Sequence, residues 1–187
     1  NTQTFDFTIP NVDTSVPVEI KINTASKSFG NSSFNFKANG ANIGSISFFP
    51  LIAFSGTEGY ETTLNANFTS TAPVISINLT YNNGGVPSSN GYLDFIRLKA
   101  KRNLIGYGKQ FLFFNEAEQA NIGVGSYNIT NAAAISQVWD VTDIYNVAKY
   151  ENIFGANFNF KINLGAVKKY VAVDANDFYF PLKEAAA

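Results

Sequence analysis

The sequence predicts an all-β chain: two packed antiparallel sheets forming a jelly-roll-like sandwich. Three observations carry this. Apolar residues recur at every second position in run after run, which places them on one face of a strand. Gly, Pro and Asn clusters separate the runs at short intervals, as turns require. About a dozen such runs and no long helical-period stretch argue against a parallel βαβ plan, whose crossovers need helices. At 187 residues and 45% hydrophobic content the chain can fill one sizeable core. The expected layout is a single sandwich over residues 1–182, followed by a tail or linker at 183–187.

The elements follow in order. Residues 4–9 align Phe5, Phe7 and Ile9 before Pro10 ends the strand. Residues 16–23 set Val16, Val18, Ile20 and Ile22 against Glu19, Lys21 and Asn23. Residues 34–38 and 43–49 flank Asn39 and Gly40, a pair suited to the positive φ of a two-residue hairpin. Residues 50–59 read as a loop, 60–69 and 74–81 as strands, and 82–91 as the clearest loop in the chain. Residues 92–102 form a long strand with Ile96, Leu98 and Ala100 opposite Arg97, Lys99 and Lys101. Residues 109–114 are apolar on both faces and read as a central strand. Residues 116–119 allow one helical turn. Strands are expected at 126–130 and 137–141, a turn or 3-10 segment at 142–150, and closing strands at 157–164, 168–174 and 178–182.

Composition excludes several chemistries. The chain has no Cys and no His, which removes thiol nucleophiles, Ser-His and Cys-His arrangements and ordinary zinc sites. Met is absent too, even at position 1, as expected of a mature fragment. A net charge of −1 gives no case for nucleic acid or an anionic membrane. No apolar run approaches the ~20 residues that span a bilayer.

Few side chains stand out as candidate sites. Asp94 falls, by alternation, on the apolar face of Ile96 and Leu98. A carboxylate there needs partners. It reads as a structural group accepting amides from residues 85–91 or pairing with Arg102, with a metal or ligand carboxylate as the alternative. Asp140 and Asp143, with nearby carbonyls, are the metal candidates. Ca²⁺ takes about six to eight oxygens, and EF-hand spacing is absent; an Asp before a turn more often caps backbone N–H groups. No other cofactor is expected. Trp139 reads as a core anchor rather than a sugar platform, an order that exposure of its ring would reverse. Arg97, Lys99, Lys101 and Arg102 make a basic stripe, a solvated face or a surface for an anionic partner. Tyr60, Tyr81, Tyr92 and Tyr107 flank loops and are the aromatic candidates for sugar stacking. Glu116 with Glu118, or Asp174 with Asp177, would be a glycosidase acid/base pair only if a cleft held them at the right separation.

A set of short patterns carries a resemblance: YLDFI at 92–96, RNL at 102–104, QFLFF at 110–114, VWDVTD at 138–143, VAVD at 171–174 and FYFP at 178–181. In this order they resemble a region of the PorU-type sortases of the Bacteroidetes type IX secretion system, lying ahead of a gingipain-like cysteine peptidase domain. The match covers residues 90–182. It implies a surface-exposed parent enzyme that cleaves a C-terminal secretion domain from exported cargo, passes the cargo to anionic lipopolysaccharide and works with an outer-membrane barrel partner. The family's catalytic Cys and His have no counterpart here, so no catalytic residue carries over. The resemblance therefore implies a non-catalytic domain at the extracellular face of the outer membrane. Its expected partners are the downstream peptidase domain, secreted cargo or the barrel protein. The alternative reading is a free-standing carbohydrate-binding or adhesin-type module.

Overall fold

The computed structural model describes residues 1–177. The chain is all-β, built from antiparallel pairs that do not close into a barrel. Among the described residues no helix is long and apolar enough to cross a membrane. The chain divides into two compact units, Asn1–Asn103 and Leu104–Ala187. The sequence reading placed one sandwich over 1–182. The buried side chains gather into two hydrophobic clusters, one within each unit. The 82–91 loop lies inside the first unit.

The first unit holds seven strands: β1 (Thr2–Thr8), β2 (Val18–Lys27), β3 (Ser32–Ala38), β4 (Ala41–Phe48), β5 (Tyr60–Phe68), β6 (Val74–Asn82) and β7 (Asn90–Lys99). They form a four-stranded sheet in the order β1-β6-β3-β4 and a three-stranded sheet in the order β5-β2-β7. Alternation sends Val18, Ile20 and Ile22 of β2 to meet Phe34 and Phe36 of β3 and Ile75, Ile77 and Leu79 of β6. Each fully buried aliphatic side chain there stabilises the fold by roughly 1.5–3 kcal/mol. The β3–β4 hairpin turns on Asn39 and Gly40, at φ 45° and 82°. Their positive φ suits the twist of the flanking strands. Asn39 also ties the turn to β6, accepting from the Ser76 N–H at 2.7 Å and donating to the Val74 carbonyl at 3.2 Å.

The second unit holds β8 (Phe111–Phe113), a 3-10 turn (Glu116–Ala120), β9 (Val124–Ile129), β10 (Ile135–Asp140), β11 (Ala148–Glu151), β12 (Phe158–Asn163) and β13 (Tyr170–Asp174). One sheet runs β11-β10-β13-β8, and β12 pairs with β9. Ile129, Phe158, Phe160 and Ile162 from the pair share a core with Ile135, Val138, Tyr170 and Ala172 from the sheet. That core is dense in rings: Phe160 lies 4.7 Å from Tyr150 and 5.4 Å from Tyr127.

Three expectations need correction. β11 overlaps the end of the 142–150 stretch expected to be a turn or 3-10 segment. It is four residues long, with only Tyr150 turned to the core, too short for alternation to show. β8 lies at the end of its sheet order among the described residues rather than at its centre, and Leu112 is exposed. Trp139 is not a core anchor. Val138 is fully buried, so alternation sends its neighbour to the outer face, where Trp139 is 36% exposed. The expected strand at 178–182 and the tail at 183–187 lie outside the described residues.

Candidate functional site

The outer face of the β5-β2-β7 sheet carries Asp94, Arg97 and Lys99 of the polar candidates. Its geometry is set by a bulge: Asn23 pairs with Phe95 and Thr24 with Leu93, leaving Asp94 as the extra residue on β7. A bulge breaks the period of two. Leu93 and Ile96 therefore both pack on the core, while Asp94 and Phe95 are both exposed. This corrects the inward placement of Asp94. Its partner is the Asn23 side chain, whose Nδ2 donates to Asp94 Oδ2 at 3.1 Å, rather than loop amides or Arg102.

Asn23 is the centre of this face and was not singled out from sequence. It is buried on the middle strand, and its Nδ2 also donates to Glu61 Oε1 at 2.6 Å. Its Oδ1 accepts from Thr63 Oγ1 at 3.4 Å. One amide thus links both flanking strands. Only the pairing of β5 and β7 on either side of β2 reveals this; in the sequence Asn23 is one polar position among many.

The basic stripe disperses. Arg97 and Lys99 are exposed on β7, and Lys99 lies 3.9 Å from Glu19 across the pair. Lys101 lies 3.8 Å from Asp13. The Nε of Arg102 donates to the Pro10 carbonyl at 2.7 Å, turning that side chain toward the backbone. Of the stripe, Arg97 and Lys99 alone share one open strand face, and an exposed ion pair such as Lys99–Glu19 contributes little to stability.

Asp140 and Asp143 close turns. Asp140 Oδ1 accepts from the Thr142 N–H at 3.1 Å and its hydroxyl at 2.6 Å, and Oδ2 faces Lys168 Nζ at 3.4 Å. Burial pushes the Asp140 carboxyl up, but the Thr142 hydrogen bonds and Lys168 outweigh it and hold it below the ordinary range. Asp143 Oδ1 accepts from the Tyr145 N–H at 2.9 Å. Among the described residues no three Asp, Glu, His or Cys side chains converge as a metal site. Trp139 Nε1 donates to Gln137 at 2.8 Å.

The acidic pairs hold structural roles among the described residues. Glu116 is exposed, whereas Glu118 is 2% exposed, and its Oε1 takes the Tyr127 hydroxyl hydrogen bond. Burial, and then the Glu118 hydrogen bond, raise the Tyr127 phenol above its usual range. The Tyr170 hydroxyl is raised as well, by burial first and then by the Glu118 charge. Neither Glu118 Oε2 nor the Tyr170 hydroxyl has a hydrogen-bond partner. Asp174 accepts from the Asn176 N–H at 2.8 Å and Asp177 from the Gln110 N–H at 3.2 Å, so both fix backbone. Of the four loop tyrosines, Tyr60, Tyr92 and Tyr107 are exposed and Tyr81 is half-buried.

No protein-family model matches the chain, and no curated protein sequence does. Among solved structures, 94% of the chain overlays dimeric latent PorU from Porphyromonas gingivalis with a TM-score of 0.75 at 16% identity. A carbohydrate-binding module of the CBM36 type, solved with calcium and xylotriose, overlays 52% of the chain and 72% of its own length at 21% identity, with a TM-score of 0.36, too low to argue a shared fold. The chain spans 18% of the PorU chain that it overlays, and it shares the fold of that region.

Proposed function

We propose that this chain is a non-catalytic β-domain of a PorU-like type IX secretion sortase, displayed at the extracellular face of the outer membrane. In the longer protein it supports or positions a cysteine peptidase domain, or docks secreted cargo or an outer-membrane barrel partner. The supporting observation is the overlay of nearly the whole chain on less than a fifth of latent PorU, in a chain that has neither Cys nor His. The chemistry of a thiol peptidase must then lie elsewhere in the polypeptide.

The test is made in the parent gene. Removing the codons for residues 1–177 in frame should leave a cysteine peptidase domain that accumulates but no longer processes cargo bearing the secretion signal. A parent gene encoding no cysteine peptidase would overturn the proposal. So would cargo processing that continues at the wild-type rate without this domain.

A further inference from the structure

One side of the first unit is open. There the edge strand β1 of the larger sheet and the edge strand β7 of the smaller one border a groove of about 510 Å³. Register explains the opening. The core-facing position of β1 next to Phe5 is Gln3, and the core-facing position of β7 next to Leu93 is Gly91, opposite the buried Ser26. Two positions that would fill a closed sandwich thus carry an amide and no side chain. Gly91 also has no room for one: a Cβ would stand 2.5 Å from the Tyr81 ring and 2.7 Å from the Phe34 ring.

The lining has a consistent chemistry. The floor is apolar and aromatic, with the Phe34 and Tyr81 rings 4.8 Å apart and tilted at 48° to one another. The Tyr81 hydroxyl is fixed between Ser26 at 2.8 Å and Ser89 at 2.5 Å. The rim is made of amides, and among the described residues no Asp, Glu, Lys or Arg side chain lines the groove. Asn82 and Asn83 spend their Oδ1 atoms on the Gly84 and Gly85 N–H groups, at 3.0 and 3.1 Å. Each Nδ2 is left as an oriented, uncommitted donor. Asn90 does the reverse, donating Nδ2 to the Ser88 carbonyl at 3.0 Å and keeping Oδ1 as an acceptor.

We propose that this groove binds a short neutral saccharide. Hydroxyls both donate and accept, and so do side-chain amides, so a rim of amides meets a polyol on either count. An aromatic floor accepts the apolar face of a sugar ring. A concave site with a few convergent polar groups over an apolar base is the usual form of a small-molecule site. The Asn1 α-ammonium donates to the Tyr81 carbonyl at 3.3 Å and no cationic side chain joins it among the described residues, so the groove offers an anionic ligand little, while a purely apolar ligand would strand the amides. The inference rests on the first unit alone and stands apart from the sortase reading.

The experiment is a ¹⁵N–¹H titration of the full chain with cellotriose, maltotriose and mannotriose, and with sialyllactose as the charged comparison. At least one neutral trisaccharide should shift the side-chain amide signals of Asn82 and Asn83 and the Gly91 backbone signal. Gln3→Ala and Asn90→Ala should each weaken that binding by about three- to tenfold, as loss of one hydrogen bond does, with the remaining spectrum unchanged. Trp139→Phe should leave it unaltered. No shift with any neutral trisaccharide, preference for sialyllactose, or shifts centred on Trp139 would each overturn the proposal.

Discussion

Glu118 shows how far a single residue can depart from its sequence context. In the sequence it is one of two acids in a short polar run; in the structure its carboxyl lies among aromatic rings, held by the Tyr127 hydroxyl. A buried carboxyl that loses its donor keeps the full cost of desolvation. Tyr127→Phe should therefore destabilise the chain by about 2–3 kcal/mol, read from urea unfolding. Glu118→Gln in the Tyr127→Phe background should recover part of that loss. Strict additivity of the two changes would refute the coupling. Asp140 gives a residue-scale pH dependence. Its carboxyl is depressed in the folded chain relative to the ordinary Asp value of 3.8. A depressed pKa contributes stability that is present above the unfolded value and is lost as pH falls through the folded one. The Tm gap between wild type and Asp140→Asn should thus be largest at neutral pH and shrink below pH 3.8. A gap that is constant from neutrality to acid would show that Asp140 acts only through neutral hydrogen bonds.

At the scale of elements, most strands were legible because each buries one face, and burial imposes the alternation that the sequence displays. β2, β3, β6 and β12 are of this kind, and so is the hairpin at Asn39 and Gly40, whose positive φ needs those residues. Elements that alternate weakly were not legible. β11 shows one inward residue, and β8 carries apolar side chains on both faces although Leu112 is exposed. The bulge in β7 is the sharper case. A period-two count through Tyr92, Asp94 and Ile96 turns Asp94 inward, and the extra residue opposite β2 reverses it. The energetic weight consequently moves from Asp94 to Asn23, which is buried and bonded to both neighbouring strands. Asp94→Ala should change stability by less than about 0.5 kcal/mol, as exposed substitutions do. Asn23→Ala should cost about 1–3 kcal/mol through unmade buried hydrogen bonds. Equal costs for the two variants would show that the bulge does not persist in solution.

On the scale of the whole molecule, alternation and turn spacing carried the fold class and composition removed thiol and imidazole chemistry, but neither could reveal how the buried side chains group into clusters. Alternation marks which face of a strand is buried and says nothing about which other strands share that burial. The candidate sites were hidden for the same reason. Asn23 gains its role only when β5 and β7 flank β2, and Gln3 and Gly91 face one another's sheet only once β1 and β7 become edges of one sandwich. The division itself makes a prediction. Asn1–Asn103 contains all seven strands of its two sheets and every buried residue of its hydrophobic cluster. A unit of this size with its own core can fold as a cooperative domain. Expressed alone, residues 1–103 should give a dispersed amide spectrum and a single urea transition. The Phe36→Ala variant of the fragment should lose about 3–5 kcal/mol, as a buried Phe does in a packed core. A collapsed fragment without amide dispersion would show that the first cluster depends on chain beyond Asn103, and that the two clusters form one folding unit.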